Sequence, residues 1–309
     1  MANFLDDSST NRTVSRLVDD DSVFIRSTYD FKRCSPSDPT DIDVHFGDIY
    51  RVIDQTSSVS CWRVQPVVAP FASTDSCRFS TSSDCDSTPV VSIPSDRWLQ
   101  CNIPGGAYET VRPKFVPYVR PVIILGPLKE RICRFLRNSQ PFNYAAPVPH
   151  TCRPQNAEAG ELKGIDYHFV TQQMMQGLRD SDVFVDFVQK EDGLYGTTEG
   201  SIREVAQRER KRCLLDMPHA IPELVGRQIV PIVILIKPEH ADQLSSWDFD
   251  YRTDERLAME HFYSVLKLHR QMTAFITATI CGPSFDEILK RVETTIEAHS
   301  AVSLCWMKV

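Results

Sequence analysis

The hydrophobic pattern of this chain changes at Pro104-Gly105-Gly106, and this change constrains the fold more than any other feature. Before the turn lie short, partly alternating segments rich in β-branched residues, such as VFIRSTYDF and DVHFGDIYRVID. Alternation with a period of two is typical of half-buried strands. No helical period appears before about residue 120, so we predict that the first hundred residues form an all-β unit.

After the turn, continuous apolar runs alternate with helical segments. The candidate strands are PVIILG, CLLDM, IVPIVILI and AFITATIC. Runs that are apolar on both faces are typical of a parallel sheet covered by helices. Two helices are predicted to begin with capping boxes, Ser201 with Glu204 and Ser284 with Glu287, and a third is predicted over roughly 254–272. The alternation of strand and helix predicts an α/β unit with right-handed crossovers.

Composition excludes several classes of protein. The net charge of -7 argues against a general nucleic-acid binder. The apolar runs are too short to span a bilayer, and MANFLDDSST lacks the features of a secretion signal. Ten cysteines contain no C-x-x-C pair, which favours free thiols without zinc, and no cofactor is expected. We predict a disordered N-terminus over 1–21 and a flexible Ser-rich insertion over 72–88.

The segment PVIILGPLKERIC places a strand, a Gly-Pro turn and a helix where a phosphate-binding loop would lie. A working loop reads G-x-x-x-x-G-K-[ST], because its glycines admit phosphate, its Lys neutralises it and its hydroxyl holds magnesium. Counted from Gly126, those three positions are Arg131, Ile132 and Cys133. Lys129 comes three residues too early to replace the missing lysine. The sequence therefore predicts a degenerate loop that cannot support phosphoryl transfer.

The segments HTCRPQNAEAGELKGIDYHFV, VFVDFVQKEDGLYGTT and CLLDM resemble guanylate kinases in order and spacing. With PVIILGPLKER, YETVRPKF and the β unit, they resemble the SH3–guanylate-kinase-like module of the membrane-associated guanylate kinases, of the discs-large and zonula-occludens type. The resemblance implies a multidomain protein: an all-β SH3-like barrel over 22–112, then an α/β guanylate-kinase-like domain with a P-loop-type parallel sheet over 118–302. It also implies that a C-terminal strand, 303–309, pairs with Tyr108–Val111 just before the kinase-like domain.

The resemblance further implies a pocket for a nucleoside monophosphate or a phosphopeptide, formed by Arg153, Glu161, Tyr167, Asp186, Tyr195, Thr197 and Asp216. Arg153 and the two tyrosines match phosphate-binding residues, and Glu161 and Asp216 match carboxylates that read the guanine edge. Asp186 occupies a position where the family has Glu. Glu158 replaces a second phosphate-binding arginine, so the pocket loses a positive charge. The alternative is that the tyrosines are ordinary aromatic residues at the edge of the core and Arg153 forms a surface ion pair.

In the SH3-like unit, the resemblance identifies a proline-peptide groove at Tyr29, Phe31 and Pro94. If CWRV aligns with the family's W-W-x-A, Cys61 replaces the tryptophan that grips the ligand, and Trp62 is the second tryptophan, which packs structurally. Arg97 occupies the position of an expected tyrosine. We therefore expect a degenerate groove.

Together these features predict a non-enzymatic scaffold or adaptor. Its partners would be other proteins, including Ser/Thr-phosphorylated peptides, beside an intramolecular contact between the SH3-like and kinase-like parts. The resemblance places it in the cytoplasm, at the inner face of the plasma membrane or at cell junctions, with peripheral membrane association. Two alternatives remain open at this point: a sensor that binds GMP without transferring phosphate, and a residual guanylate kinase.

Overall fold

The computed structural model describes residues 22–33, 35, 37–56, 60–68, 89–95, 106–247, 255–301 and 304–308. The chain divides into a first unit, Met1–Phe115 with Leu304–Val309, and a second unit, Val116–Ser303. The segment 1–21 that we predict to be disordered, the Ser-rich insertion 72–88 and Arg97 lie outside the described residues.

The first unit is built on a six-stranded antiparallel sheet, as the alternating pattern predicts. In spatial order its strands are β15 (Leu304–Lys308), β5 (Tyr108–Phe115), β1 (Phe24–Ser27), β2 (Ile49–Asp54), β3 (Cys61–Val68) and β4 (Val91–Pro94). Its core includes Ile25, Val44, Tyr50, Val64 and Ile93. The neighbouring residues Phe24 and Ile49 point to the other face and form a second buried cluster with Val111, so this part of the sheet is buried on both faces.

The C-terminal strand β15 is an edge strand of this first sheet. It pairs antiparallel with β5, and Leu304 to Lys308 face Phe115 to Val111. The stretch Tyr108–Val111, proposed above as its partner, pairs with β1 along its whole length. Strand β15 therefore pairs with a more C-terminal part of β5 than predicted. Among the described residues, the observed and the predicted partner segments share only Val111.

The second unit contains a five-stranded parallel sheet in the order β14-β13-β6-β12-β7. The strands are β6 (Val122–Leu125), β7 (Tyr144–Ala145), β12 (Arg212–Leu215), β13 (Ile232–Ile236) and β14 (Ala278–Ile280). All four predicted apolar runs contribute a strand, and every residue of β13 is buried. The predicted fold class, all-β followed by α/β, is confirmed.

Seven α-helices are described in this unit: α1 (Lys129–Ser139), α2 (Gln172–Asp180), α3 (Glu199–Arg203), α4 (Ile221–Gly226), α5 (Asp242–Trp247), α6 (Glu255–Met272) and α7 (Phe285–Ala301). The predicted cap of α7 is confirmed, because the Glu287 amide donates to the Ser284 hydroxyl. The predicted cap of α3 is wrong. Thr198 caps this helix by accepting from the Ser201 amide, so the cap lies three residues earlier than predicted.

A second sheet of the same unit has the order β10-β11-β8-β9. Its strands are β8 (His150–Thr151), β9 (His168–Phe169), β10 (Phe184–Lys190) and β11 (Gly193–Thr198). Gly196 is required in β11, because an added Cβ atom would lie 2.5 Å from the Phe184 ring. Three of the seven predicted pocket residues, Asp186, Tyr195 and Thr197, lie on this sheet.

Two absences concern the described residues alone. Across those ranges, no helix combines the length and the apolar character needed to cross a membrane. No disulfide bond joins any of the six cysteines within them, which are Cys61, Cys133, Cys152, Cys213, Cys281 and Cys305.

Candidate functional site

The turn after β6 is too short to form a phosphate-binding loop. Helix α1 begins at Lys129, three residues after Gly126, and Leu128 precedes it in a left-handed conformation with φ 65°. A G-x-x-x-x-G-K-[ST] motif needs more loop before its helix, so that several backbone N–H groups can surround a phosphate. Gly126 is tightly confined, because an added Cβ atom would lie 2.5 Å from the Ile236 carbonyl oxygen.

The three residues at the motif positions lie inside α1, and each has a structural contact. Arg131 stacks its guanidinium 3.8 Å from the centre of the Phe285 ring. Ile132 is fully buried in the core. Cys133 is partly buried, and burial raises the pKa of its thiol to about 11. At neutral pH these three positions therefore carry a guanidinium that is stacked on Phe285, an alkyl side chain and a protonated thiol.

Arg153 lies at the centre of a polar cluster beside the four-stranded sheet. Its Nη1 and Nη2 donate to the two carboxylate oxygens of Glu161 at 2.8 and 2.5 Å. Its Nε donates to the Tyr195 hydroxyl at 2.7 Å, and Nη1 also reaches the Pro154 carbonyl oxygen at 3.0 Å. The guanidinium lies 4.8 Å from the centre of the Tyr167 ring. The structure thus brings together four of the predicted pocket residues.

Electrostatic interactions within this cluster favour the charged forms of Arg153 and Glu161. The hydrogen bond from Arg153, helped by the Asn156 amide, lowers the pKa of Glu161 to about 2. The same pairing raises the pKa of Arg153. Partial burial and the neighbouring Asp192 carboxylate raise the pKa of Tyr195, so its hydroxyl stays protonated. The cluster therefore presents an ion pair flanked by the rings of Tyr167 and Tyr195.

The remaining three predicted residues line a cavity of about 400 Å³ between α1 and the ends of the strands. Asp186 and Thr197 face each other across β10 and β11. Asp216 follows β12, and its Oδ1 accepts from the Lys129 ammonium at 2.8 Å. Glu161 is not part of this cavity lining. The predicted pocket therefore consists of two neighbouring parts, a cluster around Arg153 and a cavity around Asp216.

The first unit, which corresponds to the predicted SH3-like unit, carries a row of four aromatic rings. Tyr29, Phe31, Tyr108 and Trp62 follow one another at centroid distances of 6.2, 6.0 and 5.4 Å. Trp62 and Phe31 pack against the core beneath the row. Cys61 faces Pro94 across β3 and β4, and the Tyr108 hydroxyl donates to the Pro94 carbonyl oxygen at 2.8 Å. Tyr29 is the exposed end of the row.

The guanylate kinase family model matches residues 118–299, more than half of the chain. The chain belongs to the guanylate kinase family. Disks large 1 tumor suppressor protein of Drosophila melanogaster is 34% identical over 200 residues, which cover 64% of this chain and 20% of that protein. Disks large homolog 4 of Danio rerio is 30% identical over 300 residues, covering 90% of this chain and 35% of the relative. These relatives confirm the resemblance to membrane-associated guanylate kinases.

The chain spans a fifth to about a third of the length of these curated relatives. Among solved structures, the SH3-kinase fragment of tight junction protein 3 in its apo form matches 94% of this chain and 100% of that chain. The TM-score of that match is 0.40 and its sequence identity is 19%.

In this member of the guanylate kinase family, sequence reasoning missed the basic side chains on α1. Lys129, Arg134 and Arg137 line the cavity together with Cys133. Residues 129, 133 and 137 are four apart and share a helix face, which is the signal that could have revealed them. Tyr108 was likewise missed as part of the aromatic row. In the described ranges, no group of three His, Cys, Asp or Glu side chains could hold a metal ion.

We expect the SH3-like unit not to bind P-x-x-P peptides at micromolar concentration. If Cys61 replaces the tryptophan that grips the ligand in the family, one wall of the groove is missing, and Trp62 packs against the core. NMR titration of the full chain with a proline-rich peptide library measures this directly. A Cys61→Trp variant is the matched control and should gain affinity if the missing ring is the cause. Shifts clustered on Tyr29, Phe31 and Pro94 in the unmodified protein would contradict the expectation.

Proposed function

We propose that this chain is a non-catalytic scaffold module that binds protein partners through its guanylate-kinase-like unit. The observation that carries the proposal is the start of α1 at Lys129, which leaves only Gly126, Pro127 and Leu128 as a loop. Phosphoryl transfer depends on positioning and electrostatic stabilisation of the transferred group. Without a loop, a free lysine or a magnesium-binding hydroxyl at these positions, that stabilisation has no source.

We expect no transfer of phosphate from ATP to GMP. A coupled assay for GMP-dependent ADP formation tests this, with Arg153→Ala as the control for contaminating host kinases. Activity that persists through repurification and disappears in Arg153→Ala would overturn the non-catalytic assignment. Calorimetric binding of GMP without turnover would instead indicate a nucleotide sensor. The pairing of Asp216 with Lys129 disfavours that result, because the carboxylate already has a cation as its partner.

The ligand class that we propose is a peptide carrying phosphorylated Ser or Thr, bound at the Arg153 cluster. A guanidinium has five N–H donors, and the contacts with Glu161, Tyr195 and Pro154 use four of them. Among the described residues, one N–H of Nη2 and the Tyr167 hydroxyl have no such contact, and both can donate hydrogen bonds to phosphate oxygens. A phosphate can also replace Asp192, whose carboxylate lies 3.5 Å from Arg153 Nε.

Replacing Arg153 with Ala should weaken binding of a phosphopeptide by about tenfold or more, because a charge-assisted hydrogen bond contributes roughly 1.5–3 kcal/mol. Tyr167→Phe removes only a hydroxyl and should have a smaller effect in the same direction. Calorimetry with matched phosphorylated and plain peptides gives both values. Equal affinity for the two peptides would rule out the phosphate site and leave a phosphate-independent surface.

Glu158→Arg should strengthen the same interaction, because Glu158 is an exposed anion in the segment between Arg153 and Glu161 and should repel an incoming phosphate. Glu158→Gln separates the two contributions, since it removes the repulsion without adding a cation. We expect the affinities to rank Arg above Gln above Glu. An unchanged affinity in both variants would place the bound phosphate away from residue 158.

The similarity to disks large proteins supports a role in assembling protein complexes. We propose that this assembly takes place on the cytoplasmic side of the plasma membrane or at cell junctions. Fractionation of cells that express the chain, followed by imaging against a junction marker, tests the location. Uniform distribution through the cytosol would contradict it.

A further inference from the structure

The cavity beside the Arg153 cluster contains two arginines that the proposed function does not use. Arg134 and Arg137 lie on the cavity face of α1 with Lys129, Glu130 and Cys133. In the part of the chain that the structure describes, neither arginine has an ion pair, and both side chains are exposed. The floor beneath them is apolar and includes Ile124, Leu214 and Met217.

The cavity lining contains three cations, Lys129, Arg134 and Arg137, and three carboxylates, Glu130, Asp186 and Asp216. Asp216 is paired with Lys129 at 2.8 Å. Asp186 Oδ1 has a hydrogen-bond partner in His219 Nε2, 2.9 Å away. Among the described residues, Arg134 and Arg137 are therefore the cations of the lining that have no acidic partner.

We propose that Arg134 and Arg137 form a second anion subsite, which receives an acidic side chain of the same peptide whose phosphate binds at Arg153. This inference rests on the proposed function for the identity of the ligand. Two guanidinium groups, each with several N–H donors, match the two oxygens of a carboxylate. The apolar floor accommodates the methylene groups of a glutamate, while its charged end meets the arginines.

Strand β11 links the two subsites. Tyr195 contacts Arg153, and Thr197 lines the cavity. Residues two apart in a strand point to the same face with about 7 Å between them. An extended peptide advances about 3.3 Å per residue. Adding the width of the cavity, we expect the acidic residue about two to four positions from the phosphorylated residue.

The first test uses inorganic phosphate and needs no peptide. In NMR spectra of the full chain, the side-chain Nε–Hε signals of Arg134 and Arg137 should shift with phosphate at millimolar concentration. The shifts should persist in Arg153→Ala, because the subsite is separate from the Arg153 cluster. Absence of any shift at Arg134 and Arg137 would overturn the proposal.

The second test moves one glutamate through the positions on both sides of a phosphoserine in an alanine-rich peptide. One register should bind up to about fivefold tighter than the same peptide with glutamine, since an accessible ion pair contributes up to about 1 kcal/mol. The double variant Arg134→Gln/Arg137→Gln should abolish this preference while the phosphate preference remains. The matched control removes two charges outside the cavity, Arg208→Gln/Arg256→Gln, and should retain both preferences.

The outcomes separate the two proposals. A phosphate preference without a favoured glutamate register overturns the second subsite and keeps the proposed function. Shifts at Arg134 and Arg137 without a phosphopeptide preference remove the proposed function and retain the cavity as an anion site. A glutamate preference that survives the double variant would place the acidic side chain elsewhere and overturn the assignment of these arginines.

Discussion

Removing residues 304–309 should destabilise the first unit by about 3 kcal/mol or more, although the deletion lies almost two hundred residues from β5. The reason is that β15 supplies the backbone partners of Val111 to Phe115 and places Trp306 5.0 Å from the Phe24 ring. Loss of a packed tryptophan typically costs about 3–5 kcal/mol, and Trp306 is partly exposed. For a domain of this size we expect a fall of about 12–25 °C in the unfolding temperature.

Single substitutions separate packing from strand pairing. Trp306→Phe keeps a ring against Phe24 and should cost less than Trp306→Ala, while the deletion should cost most. Hydrogen exchange reports the ladder directly, because amides in a paired strand are protected. Free exchange of the amides of 304–308, together with unchanged melting of the truncated protein, would exclude a stabilising role for β15.

Acid should destabilise the second unit through His299. Its Nε2 is buried without a hydrogen-bond partner among the described residues. Burial, with a smaller contribution from Arg120, lowers the pKa of His299 from 6.5 to about 4. Below pH 6.5 the His299 imidazole takes up a proton in the unfolded chain but stays neutral in the folded chain. Stability should therefore fall as the pH drops from about 6.5 to about 4, by about 3 kcal/mol at about 1.4 kcal/mol per pKa unit.

Urea unfolding between pH 7 and pH 4 measures this loss. His299→Leu removes the titrating group and should flatten the pH dependence of the unfolding free energy. Burial beside His168 also lowers the pKa of His150, which acts in the same direction, so His150→Phe is the matched comparison. Glu161 titrates at about 2, below this window. Identical slopes for His299→Leu and the unmodified protein would exclude His299 as the cause.

The sequence alone determined the parallel sheet, because its strands are continuous apolar runs that only burial on both faces can satisfy. It also predicts a degenerate phosphate loop, since Arg131, Ile132 and Cys133 are chemically wrong for the motif positions that they would occupy. The four-stranded sheet was not predictable. Strands β8 and β9 have two residues each, too few to show any period, and they exist through pairing with each other and with β11.

The tertiary structure decided how the charges of the site are used. The family resemblance assigned Arg153, Glu161 and Asp216 to one pocket. The fold pairs Glu161 with Arg153, and it brings Lys129 across to Asp216, 87 residues away. Such pairings depend on distances between elements that are remote in sequence, and no local pattern encodes them. Electrostatic energy falls with distance and depends on burial, so the charge left for a ligand became visible only once the chain was folded.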